Sequence, residues 1–223
     1  MAAQHRSSPE GQIAFARLCQ KYWYPLYAHV RRRESDVHRA QDLTQGFFEK
    51  VVEKNYIADV DPQRGRFRTF LLASLSHFIA NETEKEQAIK RGGDRLHFSL
   101  QFDDGERIYQ HEPVHSQTAE RLYERRWAVA LLTQVLDRLR SEHEAVGKAD
   151  FFDEMRQFLT PRDSASYAAV GDRLGISEGA VKAAVHRLRT RYRELLRSEV
   201  AETISDRNDV EDEIRALFET FSS

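Results

Sequence analysis

Apolar positions along this chain recur every three or four residues over long windows, the spacing of one face of a helix. Between residues 12 and 33, Phe15, Leu18, Cys19, Tyr22, Leu26 and Val30 trace such a face, with Pro25 inside it as an expected kink or break. A second face runs from Asp36 to Lys54 through Val37, Ala40, Leu43, Phe47, Val51 and Val52. Arg39, Gln41, Asp42, Thr44 and Gln45 are left on its polar side. Residues 55–65 hold Asp61, Pro62 and Gly65 and read as a loop, after which a long helix is expected from Phe67 to Lys90, ended by Arg91, Gly92 and Gly93.

From Asp94 to Thr118 the helical pattern lapses. Leu96, Phe98, Leu100 and Phe102 alternate and polar residues then dominate, so this stretch is expected to be a linker with one short strand. Helical spacing returns from Glu120 to Arg140 and again from Phe151 to Leu159. A final acidic, amphipathic segment carries Val210, Ile214, Leu217, Phe218 and Phe221. It follows a basic helix closely enough either to fold back onto it or to pack as an extra helix on the C-terminal domain.

The firmest local reading covers residues 166–197. Ser166 is a candidate N-cap for a helix from Tyr167 to Leu174, Gly175 a left-handed C-cap, and Ser177 the cap of a second helix whose Val181, Val185, Leu188, Tyr192 and Leu195 share one face. Two helices joined by a three-residue turn make a helix-turn-helix, in which the second helix lays its N-terminal residues over base edges in the major groove. Ser177, Glu178, Gly179, Lys182, Ala183, His186 and Arg187 are the expected DNA-facing residues, with Arg189 and Arg191 nearer the backbone. Gly171, at a cost of up to about 1 kcal/mol against Ala in mid-helix, is expected where the helices approach closely. The alternative is a basic amphipathic helix in an ordinary helical hairpin.

Composition narrows the class. The 34 basic and 36 acidic residues give a net charge of −2, yet the basic residues crowd 182–197 and the acidic ones crowd the tail, so the distribution says more about nucleic acid than the total does. The first residues are polar with no apolar core of a leader, and no apolar run approaches bilayer length, so a cytoplasmic protein without a membrane partner is expected. The single cysteine, Cys19, is expected to be a buried structural thiol. The fold expected is all-α: an N-terminal domain over 1–93, a polar linker over 94–120, a second helical domain over 121–198, and an acidic extension over 199–223.

Three segments in this order, RAQDLTQGFF from Arg39, FRTFLLASLSHFIANE from Phe67 and SYAAVGDRLGISEGAVKAAVHRLR from Ser166, resemble the extracytoplasmic-function group of bacterial RNA polymerase sigma factors. The resemblance implies an N-terminal domain that clasps the clamp helices of core RNA polymerase and opens the promoter DNA at its −10 element, and a C-terminal domain that reads the −35 element. Carried over by position, Asp42, Leu43, Gln45 and Phe48 would bind polymerase, and Arg64, Arg66, Arg68, His77 and Asn81 would meet −10 DNA. His77 and Asn81 stand where relatives usually have Asn and Asp. Where relatives usually carry two acids before the Asp-Leu pair, this chain has Arg39 and Gln41. That departure implies either a clamp surface that has diverged to match, with Thr44 a variable residue, or a charge deficit against a basic clamp, which phosphorylation of Thr44 by a Ser/Thr kinase would offset. An inhibitory protein is a further implied partner.

Two other readings compete. A polymerase-independent operator-binding regulator would account for the C-terminal half but not for Arg39–Asn81. His111, Glu112 and His115 spell the H-E-x-x-H zinc-peptidase motif, but that motif works on a helix and Pro113 interrupts it here. No enzyme, catalytic residue, metal or cofactor is expected.

Overall fold

The computed structural model describes residues 9–53, 66–88, 100, 102–112, 117–159, 165–204 and 206–222. Among these the protein is all-helical: α1 (Pro9–Arg33), α2 (Val37–Glu53), α3 (Phe67–Ala88), α4 (Phe102–Gln110), α5 (Ala119–Glu144), α6 (Ala149–Met155), α7 (Tyr167–Leu174), α8 (Glu178–Ala201) and α9 (Val210–Glu219). No helix among the described residues is long and apolar enough to cross a membrane.

The chain divides into two compact units, one spanning Met1–Ala130 with Thr203–Ser223 and the other Leu131–Glu202. The division falls inside α5, and the acidic extension belongs to the first unit.

In the first unit α1 runs unbroken through Pro25. One lost amide bond costs roughly 3 kcal/mol, whereas the adjacent Leu26 and Tyr27 are both fully buried and each contributes about 1.5–3 kcal/mol. α2 packs on α1, its Leu43, Phe47, Phe48 and Val51 are all in the core, and Phe47 meets Phe78 of α3. Its start is capped by Asp36, whose carboxylate accepts from the His38 and Arg39 amides. In α3 the buried stripe is Leu71, Leu75 and Phe78, while Phe67 and Phe70 stack on each other at its half-buried margin.

The part expected to be linker contains α4; of the residues expected to form a short strand, Leu96 and Phe98 lie outside the described residues and Phe102 begins α4. α4 is tied to α1 by Phe102 against Trp23 and Tyr27, and by Glu106, which accepts from Arg31 and from the Tyr27 hydroxyl. Gly105 permits this approach, since a Cβ there would come within 2.7 Å of the Trp23 ring. Glu112, just past α4, pairs with Arg126 and accepts from the Tyr24 hydroxyl, so the acid of the H-E-x-x-H string is a buried structural group. His115 lies outside the described residues. Cys19 is half-buried, and burial pushes its thiol up to about 12.

In the second unit, Leu131, Val135 and Leu139 of α5, Phe152, Met155, Phe158, Val170 and the apolar face of α8 are all buried. Ion pairs Arg140–Asp153, Arg191–Glu142 and Arg138–Glu199 lie around it.

Candidate functional site

The turn between α7 and α8 follows from three local signals. Ser166 accepts from the Ala169 amide, Gly175 adopts φ 66° as the left-handed end of α7, and Ser177 accepts from the Ala180 amide at the start of α8. The close approach at Gly171 is made to the turn: a Cβ there would lie 2.7 Å from the Ile176 carbonyl oxygen. These contacts fix the direction in which α8 leaves.

Along that helix Glu178, Gly179, Lys182, Ala183, His186 and Arg187 are all exposed. Val181, Ala184, Val185 and Leu188 hold its other side in the core. Glu178 and Lys182 pair at 2.6 Å, and the Lys182 ammonium lies 5.8 Å from the centre of the Tyr167 ring. That pairing raises the Lys182 pKa and offsets part of the charge at the helix start. Ser177 is exposed, but its oxygen is engaged as the cap.

The expected backbone contacts need correction. Arg189 donates from Nε and one terminal nitrogen to the Phe158 carbonyl at 3.1 and 2.8 Å, and Arg191 binds both oxygens of Glu142. Both serve the packing of their own unit. Arg187 and Arg193 are exposed and have no ion-pair partner among the described residues.

On α2, Asp42 is exposed and Gln45 half-buried, donating to Glu49 at 3.1 Å. Leu43 and Phe48, expected to meet polymerase, are core residues at 6% and 0% exposure, because they fall on the apolar face of α2. Thr44 is fully buried, and its hydroxyl donates to the Ala40 carbonyl at 2.8 Å. A kinase cannot reach it in the folded chain, which overturns its assignment as a phosphosite. Arg39 pairs with Glu34 at 2.8 Å, so the basic residue thought to repel a clamp surface is neutralised within the chain.

On α3, His77 and Asn81 are both exposed and one turn apart on the same face. Arg64 lies outside the described residues. Arg66 is exposed, and its Nε lies 2.7 Å from Glu213 of α9. Arg68, expected to touch DNA, is instead 3% exposed, paired with Glu124 at 2.6 Å and with Glu213. Its charge is spent inside the fold. Glu213, Glu124 and Glu34 were not singled out in the sequence, because nothing local marks an acid whose partner is on another helix.

No protein-family model, curated protein or solved structure matches the chain.

Proposed function

We propose that this chain is a dissociable specificity subunit of bacterial RNA polymerase, a sigma factor of the extracytoplasmic-function type, acting in the cytoplasm. The observation that carries the reading is the exposed start of α8. Six residues with the right chemistry for base and phosphate contact lie together on a helix whose exit is locked by a capped three-residue turn. Asp42 on α2, together with His77 and Asn81 on α3, supplies the exposed polar groups this function needs in the other unit. In this reading Asp42 meets a basic helix pair on the polymerase, and α3 meets the separated promoter strand.

The test is gel filtration of the purified chain with core polymerase in the absence of DNA. Co-elution is expected, Asp42→Arg should abolish it without lowering the melting temperature, and Arg187→Ala should leave it intact. A chain that binds DNA but never co-elutes with polymerase would be an operator-binding regulator, and the proposal would fall.

A further inference from the structure

The N-terminal end of α3 carries two cations, Arg66 and Arg68, and two acids face them. Glu124, from α5, is bound to Arg68, which also stacks on Trp127. Glu213, from α9, reaches both arginines and is only 1% exposed. Beside this cluster the Phe67 amide donates to the Thr203 carbonyl at 3.1 Å, so the tail also engages the first turn of α3. Leu217, one turn on from Glu213, is fully buried and anchors α9.

Among the described residues, the two cations meet two acids, one of them from the tail. Glu124 and the Trp127 ring hold Arg68 from the α5 side. Glu213, which also reaches Arg68, is the one acid among the described residues that pairs with Arg66, whose side chain remains 47% exposed. A DNA phosphate carries the same charge and likewise accepts from a guanidinium. From this we infer that the C-terminal helix is an internal competitor for nucleic acid, holding Arg66 through Glu213 until a strand phosphate replaces the carboxylate. The inference rests on the reading of α3 as a single-strand contact surface.

The tail is also equipped to be displaced. Phe218 and Phe221 are exposed at 47% and 41%, and Asp212 faces solvent, so the outer side of α9 is open where Glu213 and Leu217 are buried. Opening therefore has to break the two Glu213 ion pairs and withdraw Leu217 from the core.

The experiment uses the full chain and a fluorescent single-stranded dT oligomer of about 20 nucleotides, titrated over a range of salt. Glu213→Gln keeps the shape of the side chain and removes its charge. It should bind the oligomer several-fold more tightly than the wild type at low salt, with a salt slope steeper by about 0.7, the value for one added phosphate contact on a single strand. Adding Arg66→Ala to Glu213→Gln should erase both the gain and the extra slope. Hydrogen exchange of the α9 amides should rise in Glu213→Gln and, on adding the oligomer, in the wild type. Unchanged affinity in Glu213→Gln, or a gain that survives Arg66→Ala, would overturn the inference. The polymerase reading would stand in that case if a wild-type complex with core enzyme still holds a forked promoter-like DNA. Failure of that complex to hold DNA would sink both.

Discussion

The Arg68 guanidinium lies 4.3 Å from the centre of the Trp127 ring, sandwiching a buried cation between α3 and α5. Glu124 and Glu213 complete its surroundings, and the Tyr123 hydroxyl donates to the Arg68 carbonyl at 2.9 Å. Removing the cation strands Glu124 and leaves the enclosed Glu213 with Arg66 as its remaining cation. Arg68→Ala should therefore cost about 3–5 kcal/mol in urea unfolding, and Arg68→Lys an intermediate amount because the planar fork and the stack are both lost. A variant that unfolds like the wild type but binds DNA poorly would return Arg68 to the role the resemblance implied.

Thr44 gives a second contrast. Its hydroxyl is satisfied within α2 by the carbonyl four residues back, which is how a polar side chain sits at 0% exposure. Thr44→Val should change stability by no more than about 1 kcal/mol. Thr44→Glu puts an unpaired carboxylate into the core and should destabilise the protein by several kcal/mol. Far-ultraviolet circular dichroism melts of the two variants check this; a Thr44→Glu chain as stable as the wild type would reopen the switch.

The residues legible in advance were those whose signals act within a turn or two of chain. Ser166, Gly175 and Ser177 announce their roles locally, and both helix ends and both caps lie where the sequence indicated. The apolar period of α2 also placed Leu43 in the core, and it was the motif resemblance that argued it outward. α4 was misread because Phe98, Leu100 and Phe102 alternate, although Phe102, Glu106 and Tyr109 already stand at helical spacing behind the acidic pair Asp103 and Asp104. Arg68 and Glu213 were not legible at all: whether a cation faces solvent or an acid depends on which distant helix packs over it.

Gly171 tests the turn. Alanine is the better helix former by up to about 1 kcal/mol, but its Cβ would meet the Ile176 carbonyl oxygen at 2.7 Å, a backbone atom that moves only with the turn. Gly171→Ala should lose about 1–3 kcal/mol net and weaken DNA binding, since the start of α8 shifts with it. A thermal melt and a DNA titration on the same variant measure both, and an Ala variant of wild-type stability would show that the turn accommodates the methyl group.

Acid sensitivity should come first from His29. It is fully buried in the first unit, edge-on to Tyr123, and Arg33 and Glu120 lie near enough to act on it with opposite sign. Burial dominates and lowers its pKa below the ordinary 6.5. The unfolded chain therefore takes up a proton that the folded chain resists. Stability is complete above about pH 6.5 and declines as the pH falls toward the folded value, with a slope of at most about 1.4 kcal/mol per unit. Glu106, Glu120 and Glu142 are each held below the usual carboxylate range and so keep their charge through this window. Urea unfolding at pH 7 and pH 5.5 should show the decline in the wild type and a flatter response in His29→Asn; equal slopes would assign the effect elsewhere.

The last prediction separates the arginines of α8 by what each already holds. Arg187 is exposed without an ion-pair partner among the described residues, so its full charge is free for a phosphate, and Arg187→Ala should reduce the salt slope of duplex DNA binding by about 0.9. Arg189 is occupied by the Phe158 carbonyl, and Arg189→Ala should instead cost about 1 kcal/mol of stability with little change in slope. Lys182 lies between these cases, because Glu178 holds it. Lys182→Ala leaves the Glu178 carboxylate facing the DNA and should weaken binding more than the loss of one contact, whereas Glu178→Ala frees the ammonium and should tighten non-specific binding. Paired titrations of Lys182→Ala and Glu178→Ala at two salt concentrations decide the point. If both variants weaken binding equally on a random duplex, Glu178 is not opposing the DNA charge, and the start of α8 does not face the groove as proposed.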